Sequence, residues 1–120
     1  MLDHVGIAIT NYPKSKKFYE AALAPLGYKL VMEFGEAAGF GAEGKPDFWI
    51  GKADKVQSTH VAFVSADRKT VEAFYNAAMA AGGKDNGKPG IRKDYHPNYY
   101  GAFVHDPDGN NIEAVCHSPA

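Results

Sequence analysis

Two stretches of the chain share one pattern of polar and apolar positions. "LDHVGIAIT" at 2–10 and "QSTHVAFVS" at 57–65 each start polar, reach a His-Val pair and continue in apolar residues. Strand side chains alternate between faces, so Val5, Ile7 and Ile9 share one face and His4, Gly6 and Ala8 the other. In the second stretch Val61 and Phe63 oppose His60, Ala62 and Val64. Strands are expected at 2–9 and 58–65, covered on both faces or nearly so. Each stretch is followed by a helical stripe: Phe18, Tyr19, Ala22, Leu23 and Leu26, then Val71, Phe74, Tyr75, Ala78 and Met79. Pro13 suits the first turn of one helix and Asp67 the N-cap of the other, and Gly27 and Gly82-Gly83 end them.

Shorter strand-like segments follow, at about 28–34, 37–42 and 47–52 in the first half and about 84–87, 99–105 and 111–117 in the second. "DPDGN" at 106–110 reads as a tight turn, and "KPGIRKDYHPNYY" at 88–100, with two prolines, as a loop. A shift of 56 positions aligns His4 with His60, Val5 with Val61, Phe18 with Phe74, Tyr19 with Tyr75 and Gly27 with Gly83. Such self-similarity predicts two βαβββ modules, about 1–55 and 56–120, within one domain over 1–120. The expected class is α+β: a curved, mostly antiparallel sheet forming a cup, with helices outside.

Composition narrows the partners more than the fold. A formal net charge of −1 and scattered basic residues give no footprint for nucleic acid. No apolar run approaches the roughly 20 residues of a membrane span, and no leader-like segment is evident, so a cytoplasmic location is the expectation. The one cysteine, Cys116, cannot form an internal disulfide. Its parity turns it away from the face that carries Glu113.

The chemistry gathers at three positions. His4 and His60 occupy repeat-equivalent places on the open strand face, where a pseudo-twofold axis would bring them together. Glu113 interrupts the apolar run Ile112, Ala114, Val115, where a carboxylate is costly unless paired or bound to a cation. Two imidazoles and one carboxylate, without a thiolate, suit a divalent metal such as Fe, Mn, Zn or Ni with positions left open. The counterpart of Glu113 in the first module is Trp49, which cannot ligate.

The segments "LDHVGIAITNYPKSKKFYEAALAPLGYK", "THVAFVS" and "AFVHDPDGNNIEAV" together resemble the vicinal oxygen chelate superfamily of glyoxalases, extradiol dioxygenases, thiol transferases, epimerases and bleomycin resistance proteins. The resemblance covers essentially the whole chain. It implies that His4, His60 and Glu113 fall on metal-ligand positions, and that the protein is a homodimer. Trp49 stands where glyoxalase I and the epimerases carry a further Glu or Gln, and Phe103 where dioxygenases and thiol transferases carry a tyrosine.

The resulting expectation is a metal-dependent lyase, dioxygenase or transferase that chelates a small oxygenated substrate at the open metal positions. Trp49, Arg92, Tyr99 and Phe103 are candidate substrate contacts, and His96 and Tyr100 are candidate proton-transfer groups. The alternative is a metal-free resistance or sequestration protein of the same fold, holding a planar ligand between Phe40, Phe48, Trp49, Tyr99 and Phe103.

Overall fold

Both helices begin where a side-chain oxygen replaces the missing helical turn. In the computed structural model, which describes residues 1–119, Asn11 caps α1 (Tyr12–Leu23) by accepting from Lys14 N, with Pro13 in the first turn. Asp67 caps α2 (Arg68–Ala80) through Thr70 N. A 3-10 turn prolongs α1 until Gly27, whose φ of 84° suits the left-handed C-cap. The expected stripes are the buried faces: Phe18, Tyr19, Ala22 and Leu23 on α1, and Val71, Phe74 and Ala78 on α2.

The strands are β1 (Val5–Ile9), β2 (Lys29–Phe34), β3 (Ala37–Gly41) and β4 (Phe48–Lys52), then β5 (His60–Val64), β6 (Lys84–Ile91), β7 (Tyr100–His105) and β8 (Asn111–Cys116). Each module is the expected βαβββ unit. The single curved sheet, however, is two four-stranded sheets, ordered β1-β4-β3-β2 and β5-β8-β7-β6. In each, one parallel pair (β1 with β4, β5 with β8) joins two antiparallel ones. β6 runs four residues beyond expectation because bulges near Gly87 let an edge strand carry Pro89 and remain paired. The expected loop therefore shortens to residues 92–99.

One continuous core unites the modules. It joins Ile7, Ile9, Phe18, Tyr19, Phe40, Phe48 and Ile50 to Phe63, Val71, Phe74, Val104, Ile112 and Cys116. Phe63 packs edge-on against Phe48 at 5.1 Å and against Tyr28 at 5.4 Å. Cys116 is buried in this core, as its parity predicts. The helix-facing side of each sheet is thus spent within the chain. The opposite faces are open rather than covered: His4, Gly6, His60 and Ala62 are exposed, and Val64 is 79% exposed.

The turn at 106–110 fixes how the modules meet. Asp106 is buried, yet its carboxylate accepts from Tyr19 Oη at 2.5 Å, from Asp108 N and Asn110 N, and from Asn110 Nδ2. Burial first, then the neighbouring Asp106 charge, push the Tyr19 phenol far above its ordinary range, so it stays a donor. Asn110 then bridges the modules, with Nδ2 donating to Ala8 O at 3.3 Å and Oδ1 accepting from Thr59 N at 2.9 Å. Asp108 takes two bonds from Thr10. Replacing Asp106 by alanine strands the buried Tyr19 hydroxyl and two turn N–H groups. The expected loss is about 3 kcal/mol of unfolding free energy, read by denaturant titration, whereas a change within about 0.5 kcal/mol would contradict this role.

Candidate metal and substrate face

Glu113 lies mid-strand in β8, the one acidic side chain among the fully buried large residues, at 1% exposure. β5 runs parallel beside it, and the open-face parity of both strands brings His60 Nε2 to 2.8 Å from Glu113 Oε1. The second carboxylate oxygen accepts from the Tyr99 hydroxyl. Two partners offset the desolvation that an isolated carboxylate would suffer. Burial first, then the hydrogen bond and charge of Glu113, push the Tyr99 phenol well above its usual range, so it remains the proton donor of this pair. His60 stays reachable, its side chain 53% exposed.

His4 carries the same kind of orienting contact on its own side. Its Nδ1 lies 2.7 Å from Asp3 Oδ2, and Asp3 Oδ1 receives Lys45 Nζ at 2.5 Å. The Lys45 hydrogen bond, then that of His4, holds the Asp3 carboxyl down to about 2. With Nδ1 engaged, Nε2 is the nitrogen left for a ligand, the arrangement by which carboxylates orient metal-binding histidines.

The two histidines do not meet within the chain. Asn110 joins Ala8, near the end of β1, to Thr59, just before β5. His4 is four residues back from Ala8, about 13 Å along an extended strand. It lies instead with Val64, at the far end of β5: His4, Val5, Phe48, Ala62 and Val64 line one cleft of about 340 Å3 between the sheets. Among the described residues no three His, Cys, Asp or Glu side chains converge as a metal requires. One chain supplies His60 and Glu113 together and His4 apart. The donor set fits a divalent cation in chemistry, with two of its three members already adjacent.

Trp49 occupies the place that the repeat assigns it. It pairs with Gly6 in β1 as Glu113 pairs with Ala62 in β5, and Gly6 and Ala62 are themselves one repeat apart. Where module two presents a carboxylate, module one presents an indole. The ring lies across Gly39, where an added Cβ would come within 2.8 Å of Trp49 Cε2 and Cζ2. Beside it Phe34, 63% exposed, is nearly parallel, with centroids 6.3 Å apart and planes 14° apart. Trp49 and Phe34 form an aromatic floor near His4.

The remaining candidates divide. Phe103 lies opposite Glu113 in the ladder, on the same face, with its ring 6.3 Å from that of His60 and its outer side under Arg92. Tyr99, a candidate substrate contact, gives its hydroxyl to Glu113. Tyr100 has the opposite parity: it donates to Glu72 of α2 and lies beneath Arg68, so it is no part of this face. His96 sits in the loop, accepting from Asn98 N and packing 5.9 Å from His117. Phe40 and Phe48, candidates for planar-ligand binding, are core residues on the helix side, and of the two only Phe48 reaches the cleft that His4 lines. Asp3, Lys45 and Gly39 escaped the sequence reading, because only the β1–β4 and β3–β4 registers reveal their neighbours. Trp49 is the single tryptophan, so Gly39→Ala is expected to shift its emission and lower stability by about 1–3 kcal/mol through overpacking; an unchanged spectrum would refute the cradle.

Comparison with known proteins agrees with this architecture. The profile of the Glyoxalase/Bleomycin resistance protein/Dioxygenase superfamily matches residues 1–114. A glyoxalase/bleomycin resistance protein from Albidiferax ferrireducens superposes with a TM-score of 0.84 at 27% identity, covering 99% of both chains. A glyoxalase/bleomycin resistance protein/dioxygenase family enzyme from Burkholderia phytofirmans gives 0.75 at 16% identity, over 97% of this chain and 98% of that one. Lactoylglutathione lyase from Agrobacterium tumefaciens gives 0.71 at 14%, over 97% and 92%. These last two share the fold alone. No curated protein sequence matches significantly. Two βαβββ modules, their open faces and a profile match over nearly the whole length lead to one conclusion: the chain belongs to the Glyoxalase/Bleomycin resistance protein/Dioxygenase superfamily.

Proposed function

We propose that the protein is a divalent-metal-dependent enzyme of this superfamily, acting on a small oxygenated molecule at a site that two copies of the chain complete together. The observation that carries the reading is the His60–Glu113 pair, an imidazole and a buried carboxylate 2.8 Å apart on an open sheet face. Such a pair, free of thiolate, suits Fe, Mn, Zn or Ni. His4, with its Nδ1 committed to Asp3, is the third ligand, and it reaches the pair from a second copy. The homodimer also accounts for the exposed apolar side chain of Val64, which a second chain would cover.

A bound divalent cation polarises substrate oxygens and stabilises negative charge developing on them. The chain's own residues hold the site and shape it. Tyr99 fixes one oxygen of Glu113 and leaves the other toward His60. Asp3 selects the free nitrogen of His4, and Trp49 with Phe34 offers a flat apolar wall to the substrate body. Reaction type within the lyase, dioxygenase and transferase range follows from the substrate, which a panel of catechols, hemithioacetals and epoxides would identify.

Elemental analysis of protein purified without chelators tests the reading. About one transition-metal ion per chain is expected. His60→Ala should abolish that binding while the chain still folds, shown by a cooperative unfolding transition. Protein that holds no metal, and takes up none of Mn, Fe, Ni or Zn when they are supplied, would instead be a metal-free ligand-binding member of the fold.

A further inference from the structure

We propose that Arg92 is a specificity-determining group of this face: the substrate carries a carboxylate that docks on the Arg92 guanidinium while its oxygen pair faces His60 and Glu113. The proposal rests on the preceding functional reading for the second contact and on the geometry of Arg92 for the first.

Arg92 follows β6 directly and is half-buried. Its guanidinium lies over the Phe103 ring, 5.3 Å from the centroid, and Nη2 donates to Lys88 O at 2.7 Å. Two glycines make room for it. A Cβ at Gly87 would lie 3.1 Å from Nη2 and one at Gly90 would lie 3.1 Å from Nη1. The cation is thus held flat in a cradle of ring, carbonyl and two bare backbone positions. Among the described residues no carboxylate pairs with it, although an arginine has five N–H donors and the fork shape that matches a carboxylate. The nearby carboxylates are engaged elsewhere. Glu113 is bound by His60 and Tyr99, and Glu72 binds Tyr100 on the opposite face.

Backbone bonds fix Arg92 relative to Glu113. Arg92 N donates to Tyr99 O at 2.7 Å, and the hydroxyl of that same Tyr99 holds Glu113. Arg92 O in turn accepts from Tyr95 N and His96 N, closing the 92–99 loop on itself. Phe103 lies between the two ends, its ring 6.3 Å from the His60 ring and 5.3 Å from the Arg92 guanidinium carbon. The span from imidazole to guanidinium therefore cannot exceed the sum of those two distances. A benzene ring bearing adjacent hydroxyls at one edge and a carboxylate at the other lies within that limit. A neutral sugar or simple ketoaldehyde leaves Arg92 without a partner.

Calorimetric titration with 3,4-dihydroxybenzoate and its methyl ester separates the roles. Zinc-loaded protein, which is redox-inert, and metal-free protein are both titrated, with zinc uptake measured by equilibrium dialysis. Parent protein is expected to bind the acid at least about tenfold more tightly than the ester, the scale of one charge-assisted contact. Arg92→Gln should bring the two within about twofold, and Arg92→Lys should keep part of the preference because charge remains without the fork. Equal affinity of parent for acid and ester, no binding of either, or a preference that survives in Arg92→Gln would overturn the proposal. Failure of zinc uptake alone would sink the metal reading and leave the acid–ester comparison on metal-free protein to decide Arg92. Thermal unfolding of both variants establishes that each is folded.

Discussion

Asp106 sits buried with four donors around it, and through Tyr19 and Asn110 it ties α1, the end of β1 and the approach to β5 to one short turn. A carboxylate kept from water in this way survives only because every one of those donors is in place. The turn therefore acts as a clip between modules whose helix-facing sides already share a core. Once the clip and the core are set, β1 and β5 meet through side chains and a cleft rather than a ladder, with the His4 end of one beside the Val64 end of the other.

Both helix-free faces stay open, and they carry different side chains. Module two has the buried carboxylate, its imidazole, and an arginine held over Phe103. Module one has an indole laid on Gly39, a second aromatic ring beside it, and a histidine whose Nδ1 is taken by Asp3. The duplication supplied two equivalent positions at Trp49 and Glu113, one filled by an indole and the other by a carboxylate. The shared site proposed above would bring one face of each kind together.

Much of the fold was legible because its signals are periodic. The 56-residue shift, the stripes through Phe18 and Phe74, and the strand parity at His4 and His60 all depend on local sequence. The parity of Glu113 against Cys116 was readable for the same reason, and the structure has the first on the open face and the second in the core. Meetings between distant residues were not readable. Tyr100 was a candidate because its place beside Tyr99 looked the same from the sequence, yet one residue of register sends it to Glu72 and α2. Phe40 and Phe48 alternate with Gly39 and Trp49, and nothing local says which pair faces the core. The extended β6 was hidden by Pro89 and Gly87, which usually end a strand but here sit in bulges at an edge. The cleft that His4 lines depends on how two modules pack, and no local pattern encodes it.

Subunit mixing tests the shared site most directly. His4→Ala and His60→Ala chains, each expected to bind no metal alone, are unfolded together, refolded and assayed for metal by equilibrium dialysis. If ligands are drawn from two chains, a hybrid dimer holds one doubly damaged site and one intact site, and random pairing restores about a quarter of an intact site per chain. If all three ligands belong to a single chain, no pairing restores one. Recovery near a quarter is the predicted result; a mixture as empty as its components would contradict the account.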